Sequence, residues 1–369
     1  MNRKKKIGLT VLSCLFISSA LKAQAPDLFQ KAFIKKEMVK AADWQLSHSN
    51  GAAENSWTNG VFYVGVDAAY QTTGEKRLFD SLMAIGERKQ WMPGRQFDNA
   101  DDIVICQTYI DLYRIVKDKK MIQPTIDTVH KMETAPNNAL VRNRGLLWWW
   151  CDALFMAPPT LAKLSKTFND PHYLVLADTL YRQTYRLLYD HEEKLFARDA
   201  AYLANARGGG KKEANGKKVF WGRGNGWVMA GLVNLLKEMP QDYAGRSFYV
   251  GLFKEMAGRV LELQQSDGLW RSSLLDPESF PGGEGSGSGL YCYALAWGIN
   301  QHILDKKSYL QPVKKAWTGL TSLVNEAGRV GWVQPIGEDP KKNFNADSWQ
   351  SYGTGAFLLA GSEIVKLKK

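Results

Sequence analysis

The sequence predicts an all-α protein, and three observations lead there. Apolar residues recur at helical rather than alternating spacing almost throughout, as in Leu28, Ala32, Ile34, Met38, Val39 and Ala42, or Leu232, Leu235, Leu236 and Met239. Gly, Pro and Asn cut this pattern into about twelve helical segments. Neither a linker nor a fixed repeat period divides the chain, so residues 24–369 read as one domain of paired helices. Twelve helices in sequential hairpins would close into a double ring of six inner and six outer helices. The periodicity fits an open helical array equally well.

In chain order, the first 23 residues stand apart. Arg3 to Lys6 form a basic patch, Ile7 to Ala20 an apolar stretch, and Lys22-Ala23-Gln24-Ala25 offers small residues for cleavage. This is the pattern of a secretory signal peptide, too short to span a bilayer. It predicts a mature chain exported to the periplasm. Cys14 follows Val11-Leu12-Ser13, a poor match to a lipoprotein box. Helices are then expected near 27–45, 60–73, 76–88, 101–117, 119–133, 149–167, 171–189, 223–238, 243–264, 287–304, 306–325 and 350–367. No later segment reaches about 18 uninterrupted apolar residues, so no integral membrane span is expected. The connections 89–100, 135–147, 191–222, 265–286 and 327–349 are long, aromatic and glycine-rich, which in compact proteins usually marks function.

Composition excludes several classes. With 45% hydrophobic and 23% charged residues the chain is neither disordered, collagen-like nor coiled coil. The net charge is +11, but five basic residues sit in the first 23, leaving +6 scattered over the rest. That gives little support to a nucleic-acid partner and suits an anionic small substrate as well. Arg207 to Lys218 reads as a solvated basic loop. Cys106, Cys151 and Cys292 are an odd, widely spaced set that forms no disulfide framework and reads as small buried hydrophobes. The five histidines lack metal-ligand spacing, no Ser-His-Asp arrangement occurs, and no metal or organic cofactor is expected.

Four segments are candidates to carry chemistry. Leu146 to Pro159 sets Asp152 among Trp148, Trp149, Trp150, Phe155 and Met156. Desolvation there would raise the carboxyl pKa, as a general acid requires; the alternative is an N-cap role. Phe220-Trp-Gly-Arg-Gly-Asn-Gly-Trp227 opens a helix with Trp221, Arg223 and Trp227 free to meet a ligand, Arg pairing a carboxylate and Trp stacking on a sugar ring. Its glycine spacing fails the dinucleotide fingerprint. Phe97 to Tyr109 begins a helix with Asp101 and Asp102, where the helix dipole favours acids in any case. Asp102, immediately before the apolar run, is chosen as the second carboxylate. Glu284, alone among small residues in Pro281 to Gly289, is expected to meet a ligand or to lie in a solvent-facing hinge, with the former preferred.

This combination resembles the unsaturated rhamnogalacturonyl and glucuronyl hydrolases, glycoside hydrolase family 105 and its relative family 88. The resemblance lies in Trp150 to Pro158, Trp221 to Trp227, Asp267 to Trp270 and Glu284 to Gly289, in the family's order. It implies an (α/α)6 barrel and an acidic oligosaccharide substrate with a 4,5-unsaturated uronate at its non-reducing end. Asp152 would protonate C4 and help activate water that adds at C5. Arg223 and Trp227 would orient water and uronate, Trp221 would stack on a ring, and Trp150 and Arg198 would join the binding site. Arg198 and Asp199 stand near where the family places a His, and Gly285 replaces its usual Thr or Ser, which bears on specificity. Two competing expectations remain: an inverting glycosidase acting on saturated glycans through Asp102 and Asp152, and a periplasmic glycan-binding protein without chemistry.

Overall fold

The computed structural model describes residues 27–134, 146–206 and 209–368. The leader 1–23, most of the 135–147 connection and Arg207 of the basic loop lie outside the described residues. Fourteen helices are found among the described residues: α1 (Lys31–Ser47), α2 (Trp57–Thr73), α3 (Lys76–Arg88), α4 (Ala100–Ile103), α5 (Ile105–Val116), α6 (Gln123–Thr134), α7 (Ala153–Met156), α8 (Pro158–Phe168), α9 (Pro171–Leu188), α10 (Gly222–Glu238), α11 (Arg246–Glu262), α12 (Gly285–Asn300), α13 (Lys306–Ser322) and α14 (Ser351–Ile364).

Six of them form an inner ring, and three of these, α10, α12 and α14, leave almost no polar face to spend on water. In α10 every residue from Gly222 to Leu236 is buried, in α12 from Gly285 to Ile299, and in α14 the whole helix. A helix buried all round must be enclosed by others. By contrast α3 buries only Leu78, Leu82, Ile85 and Gly86, a single stripe suited to an outer position. Contacts run from α2 to α5, α8, α10, α12 and α14 in turn, and α14 packs back on α2, so the inner ring closes. The closing seam is narrow: a Cβ built on Gly65 would lie 2.6 Å from the Gly355 carbonyl oxygen, so backbone meets backbone there. Helices α1, α3, α6, α9, α11 and α13 alternate with these along the chain and form the outer layer. The arrangement is an (α/α)6 barrel, and the closed ring settles the choice against an open array.

The two ends of the barrel differ in the connections they carry. Inner helices pass to outer ones through short segments such as 74–75, 169–170 and 301–305. Outer helices reach the next inner one through 89–99, 189–221, 263–284 and 323–350. Long connections therefore gather where the inner helices begin, and the site lies there.

Three expectations shift locally. The helix expected at 101–117 is interrupted at Val104, whose carbonyl accepts an i+3 bond from Gln107 N. The one expected at 149–167 begins only at Ala153 and breaks at Ala157, because Pro158 and Pro159 supply no N–H to continue the hydrogen-bond ladder. The 191–222 connection is preceded by a two-residue strand, β1 (Tyr189–Asp190), which pairs antiparallel with β2 (Leu195–Phe196) inside it.

Candidate active site

At the loop end, Trp57, Asp101, Trp150, Asp152, Met156, Arg198, Trp221, Ile336, Gly337 and Glu338 line a cleft of about 270 Å³. That is near the lower edge of the range for small-molecule pockets. Each wall comes from a different inner helix or the loop before it. Trp57 starts α2, Asp101 sits in α4, Asp152 directly precedes α7, and Trp221 directly precedes α10. The floor is apolar. Trp227, fully buried, packs against Phe155 at 5.0 Å and edge-on to Trp57 at 6.5 Å.

Asp152 stands where a cap would, yet its own backbone is helical and its side chain makes no capping bond. The N-cap alternative is therefore set aside, and the carboxylate is left for the cleft, where it is 9% exposed. Burial raises its pKa, and Arg198 and Arg223 oppose that shift without cancelling it. Arg198 Nε lies 3.9 Å from Asp152 Oδ2, too far for a hydrogen bond. The Arg198 carbonyl accepts from Cys151 N at 2.9 Å, which fixes the two segments against each other.

Asp101 completes an acid pair. Desolvation first, then the negative charge of Asp152, push its pKa up to about 7. One of its oxygens is buried without a hydrogen-bond partner. Two carboxyls in one cleft, both raised by burial, hold a proton to higher pH than isolated carboxylates would. Among the described residues no group of three His, Cys, Asp or Glu side chains is placed to hold a metal ion.

With this geometry in hand, the sequence was compared with known proteins. The profile of Glycosyl Hydrolase Family 88 matches residues 29–368. The chain belongs to glycosyl hydrolase family 88. It is 44% identical to the unsaturated 3S-rhamnoglycuronyl hydrolase of Formosa agariphila, over 99% of this chain and 100% of that protein. A protein of the same name from Alteromonas sp. strain LOR is 33% identical, over 88% of this chain and 84% of its own length. Among solved structures, a glycosyl hydrolase of family 88 from Bacteroides vulgatus superposes with a TM-score of 0.83 at 30% identity, covering 92% of this chain and all of that one. The protein is thus a glycosidase, and its activity is removal of an unsaturated uronic acid from the end of an oligosaccharide.

Several residues of this family 88 chain stand elsewhere than the sequence suggested. Asp102 does not line the cleft. Its carboxylate accepts from Gln96 N at 3.0 Å and its carbonyl from Gly94 N at 2.7 Å, so it pins the 94–96 turn. A Cβ on Gly94 would collide with that carboxylate, which makes glycine necessary there. Glu284 neither meets the cleft nor faces solvent. At 1% exposure it caps α12, accepting from Ser286 N (3.1 Å), Ser286 Oγ (2.6 Å) and Gly287 N (2.6 Å), and from Gln334 N (3.0 Å) across the loop. Arg223 lies behind Trp221, its centre 4.5 Å from that ring, and donates to the carbonyls of Gln334 (2.7 Å) and Pro335 (3.1 Å). It reaches the cleft only through its charge on Asp152. Trp227 belongs to the floor's core.

Of the residues singled out from the sequence, Trp150, Asp152, Arg198 and Trp221 line the cleft. Asp101, Trp57, Met156 and the Ile336-Gly337-Glu338 tip were missed as cleft residues. Asp101 lies one position before Asp102, and adjacency to the apolar run does not tell which of the two faces the cleft. The tip carries no residue type that singles it out. Only the length and aromatic content of its loop pointed there.

Proposed function

We propose that this glycosidase acts by hydrating the C4=C5 double bond of an unsaturated glucuronate linked to rhamnose, with Asp152 as acid and base. Asp152 gives its proton to C4 while a water oxygen bonds to C5, and the proton lost by that water returns to the Asp152 carboxylate. The resulting C5 hemiketal opens by breaking the bond from C5 to the ring oxygen. This leaves a C5 ketone and a C1 hemiacetal, which releases the remaining saccharide. The anomeric carbon is never attacked directly. The observation that carries the reading is the uncapped, desolvated carboxyl of Asp152 facing Asp101 and Arg198 in a cleft walled by Trp150 and Trp221. A raised pKa brings the same group closer to the range in which it can both donate and recover a proton. Asp101, protonated up to about pH 7, keeps the charge near Asp152 low. The rhamnose linkage rests on the names of the two relatives. Export to the periplasm rests on the basic, apolar and small-residue pattern of the first 25 residues, and is tested by N-terminal sequencing of the mature protein from a periplasmic extract.

Lyase-generated unsaturated disaccharides of glucuronate-rhamnose, rhamnogalacturonan and pectin types, each beside its saturated counterpart, test the reading through the ultraviolet absorbance of the enol ether. Rapid loss with the rhamnose-linked glucuronate and no cleavage of any saturated partner is the expected result. Cleavage of the saturated partner would instead indicate direct displacement by the Asp101–Asp152 pair.

A further inference from the structure

The tip of the 323–350 connection brings an acid of its own into the cleft. Glu338 has a side chain that is 60% exposed, yet Oε2 reaches inward to Arg198 Nη1 at 3.3 Å. Arg198 itself is held firmly. Behind it, the buried Asp199 accepts from Nη1 at 2.7 Å; over one face lies Trp149, 5.4 Å from the guanidinium carbon; its Nε is buried without a hydrogen-bond partner on the side of Asp152. The arginine thus offers the cleft an oriented cationic edge, with one carboxylate fixed behind and a second one resting in front.

The two carboxylates differ in how easily they leave. Asp199 is 8% exposed and also accepts from Ala201 N. Glu338 stands at an exposed tip whose base is anchored: Glu284 and Arg223 hold Gln334, and Gln334 Nε2 donates to the Asp339 carbonyl at 2.9 Å. An ion pair with so exposed a partner contributes little, so an incoming anion with better geometry can replace it. Nothing else in the loop depends on the Glu338 carboxylate.

Resting on the uronyl-hydrolase reading of the cleft, we propose that Glu338 occupies the seat of a substrate anion on Arg198 and leaves it when substrate binds, so that Glu338 sets how tightly the enzyme holds its acidic substrate. The occupant is an oxyanion, either the uronate carboxylate or a sulfate ester on the neighbouring rhamnose. Arg198 is then the residue that selects for an anionic substrate, and Glu338 its intramolecular competitor.

Calorimetric titration of wild type, Glu338→Gln, Arg198→Gln and the double variant with two separate probes, saturated glucuronate and rhamnose 3-sulfate, decides this without requiring turnover. The expected result is about two- to fivefold tighter binding of one probe by Glu338→Gln, matching loss of an exposed ion pair, and no such gain in the Arg198→Gln background. Whichever probe gains identifies the occupant. KM for the unsaturated disaccharide should fall by the same factor. Unchanged or weaker binding of both probes by Glu338→Gln, or a gain that persists without Arg198, overturns the proposal. If the binding gain appears while wild type consumes no unsaturated substrate, the seat stands and the reading of the reaction falls.

Discussion

Two clusters of buried charge, one at each end of the barrel, are treated in opposite ways. At the short-turn end the C-terminal halves of the inner helices surround a cavity of about 470 Å³ that includes Asp67, Asp111, Lys163, Lys237 and Glu238. There almost every acid is matched. Arg114 bridges Asp111 (3.1 Å) and Glu238 (3.0 Å), Lys163 lies 3.5 Å from Glu238, and Lys237 and Lys366 close on the buried Glu363 at 2.8 and 3.0 Å. Although burial raises it, the pKa of Glu238 ends at about 2, because Lys163, Arg114 and Lys166 more than offset desolvation. At the loop end, Asp101 and Asp152 face each other with Arg198 beyond hydrogen-bonding reach, and desolvation wins. The larger cavity is therefore the one whose charges are compensated. What separates a catalytic cleft from a structural ion cluster here is whether burial of charge is compensated, since perturbed carboxyls acquire usable protons only where it is not.

The sharpest way to break this comparison is at its reactive pole. Asp152→Asn is expected to lower kcat by about a thousandfold or more, the scale of general acid-base catalysis, while substrate still binds; single-turnover absorbance and calorimetry together check it. Loss of binding in step with kcat would mean that Asp152 builds the cleft and does no chemistry.

Next in size is the structural pole. Lys163→Met removes a buried cation shared by Asp111 and Glu238, and breaking such a cluster costs about 3–5 kcal/mol. Denaturant unfolding should show this loss, with activity per folded molecule retained. A catalytic defect of comparable depth would erase the distinction between the ends.

A smaller effect concerns pH. Asp101 keeps its proton up to about pH 7, and above that its charge adds to that of Asp152 and repels an acidic substrate. The ratio kcat/KM should fall as pH rises through about 7, and Asp101→Asn, a permanent mimic of the neutral acid, should flatten that step. A step that survives the substitution assigns it to another group.

The smallest effect tests the one exception at the matched end. Asp67 is buried beside Asp111, one of its oxygens has no partner, and burial together with that neighbour lifts its pKa to about 7. For a carboxyl raised above its unfolded value, the native state holds the extra proton between the two values, so stability falls as pH rises through about 4 to 7. Asp67→Asn should therefore raise the melting temperature above pH 7 and leave it little changed near pH 4. Stabilisation that is equal at both values would show that Asp67 carries no charge penalty.

The legibility of these features follows from how local their causes are. The helices were readable because apolar residues recur at helical spacing along the chain, and the inner helices α10, α12 and α14 are buried almost all round. Asp152 was readable because its desolvating tryptophans are its neighbours in sequence. Trp221 and Arg198 came through their motifs and the family resemblance. Asp101 was not singled out because Asp102 stands next to the apolar run, and adjacency does not fix which of two neighbouring acids turns toward the cleft. Glu284 was misread because its partner Gln334 lies 50 residues away, and a carboxylate surrounded by glycines looks free until that loop folds over it. The ion cluster left no trace: Asp111, Lys163 and Glu238 sit on separate helices, where each reads as an ordinary surface charge.

The central claim is that reactivity follows the uncompensated carboxyl. The most direct test is the rate of enol-ether absorbance loss per folded molecule for wild type, Asp152→Asn and Lys163→Met on one rhamnose-linked unsaturated glucuronyl disaccharide. The account predicts rapid loss in wild type, an equal rate for folded Lys163→Met, and essentially none for Asp152→Asn. Retained turnover in Asp152→Asn, or its disappearance from folded Lys163→Met, would contradict it.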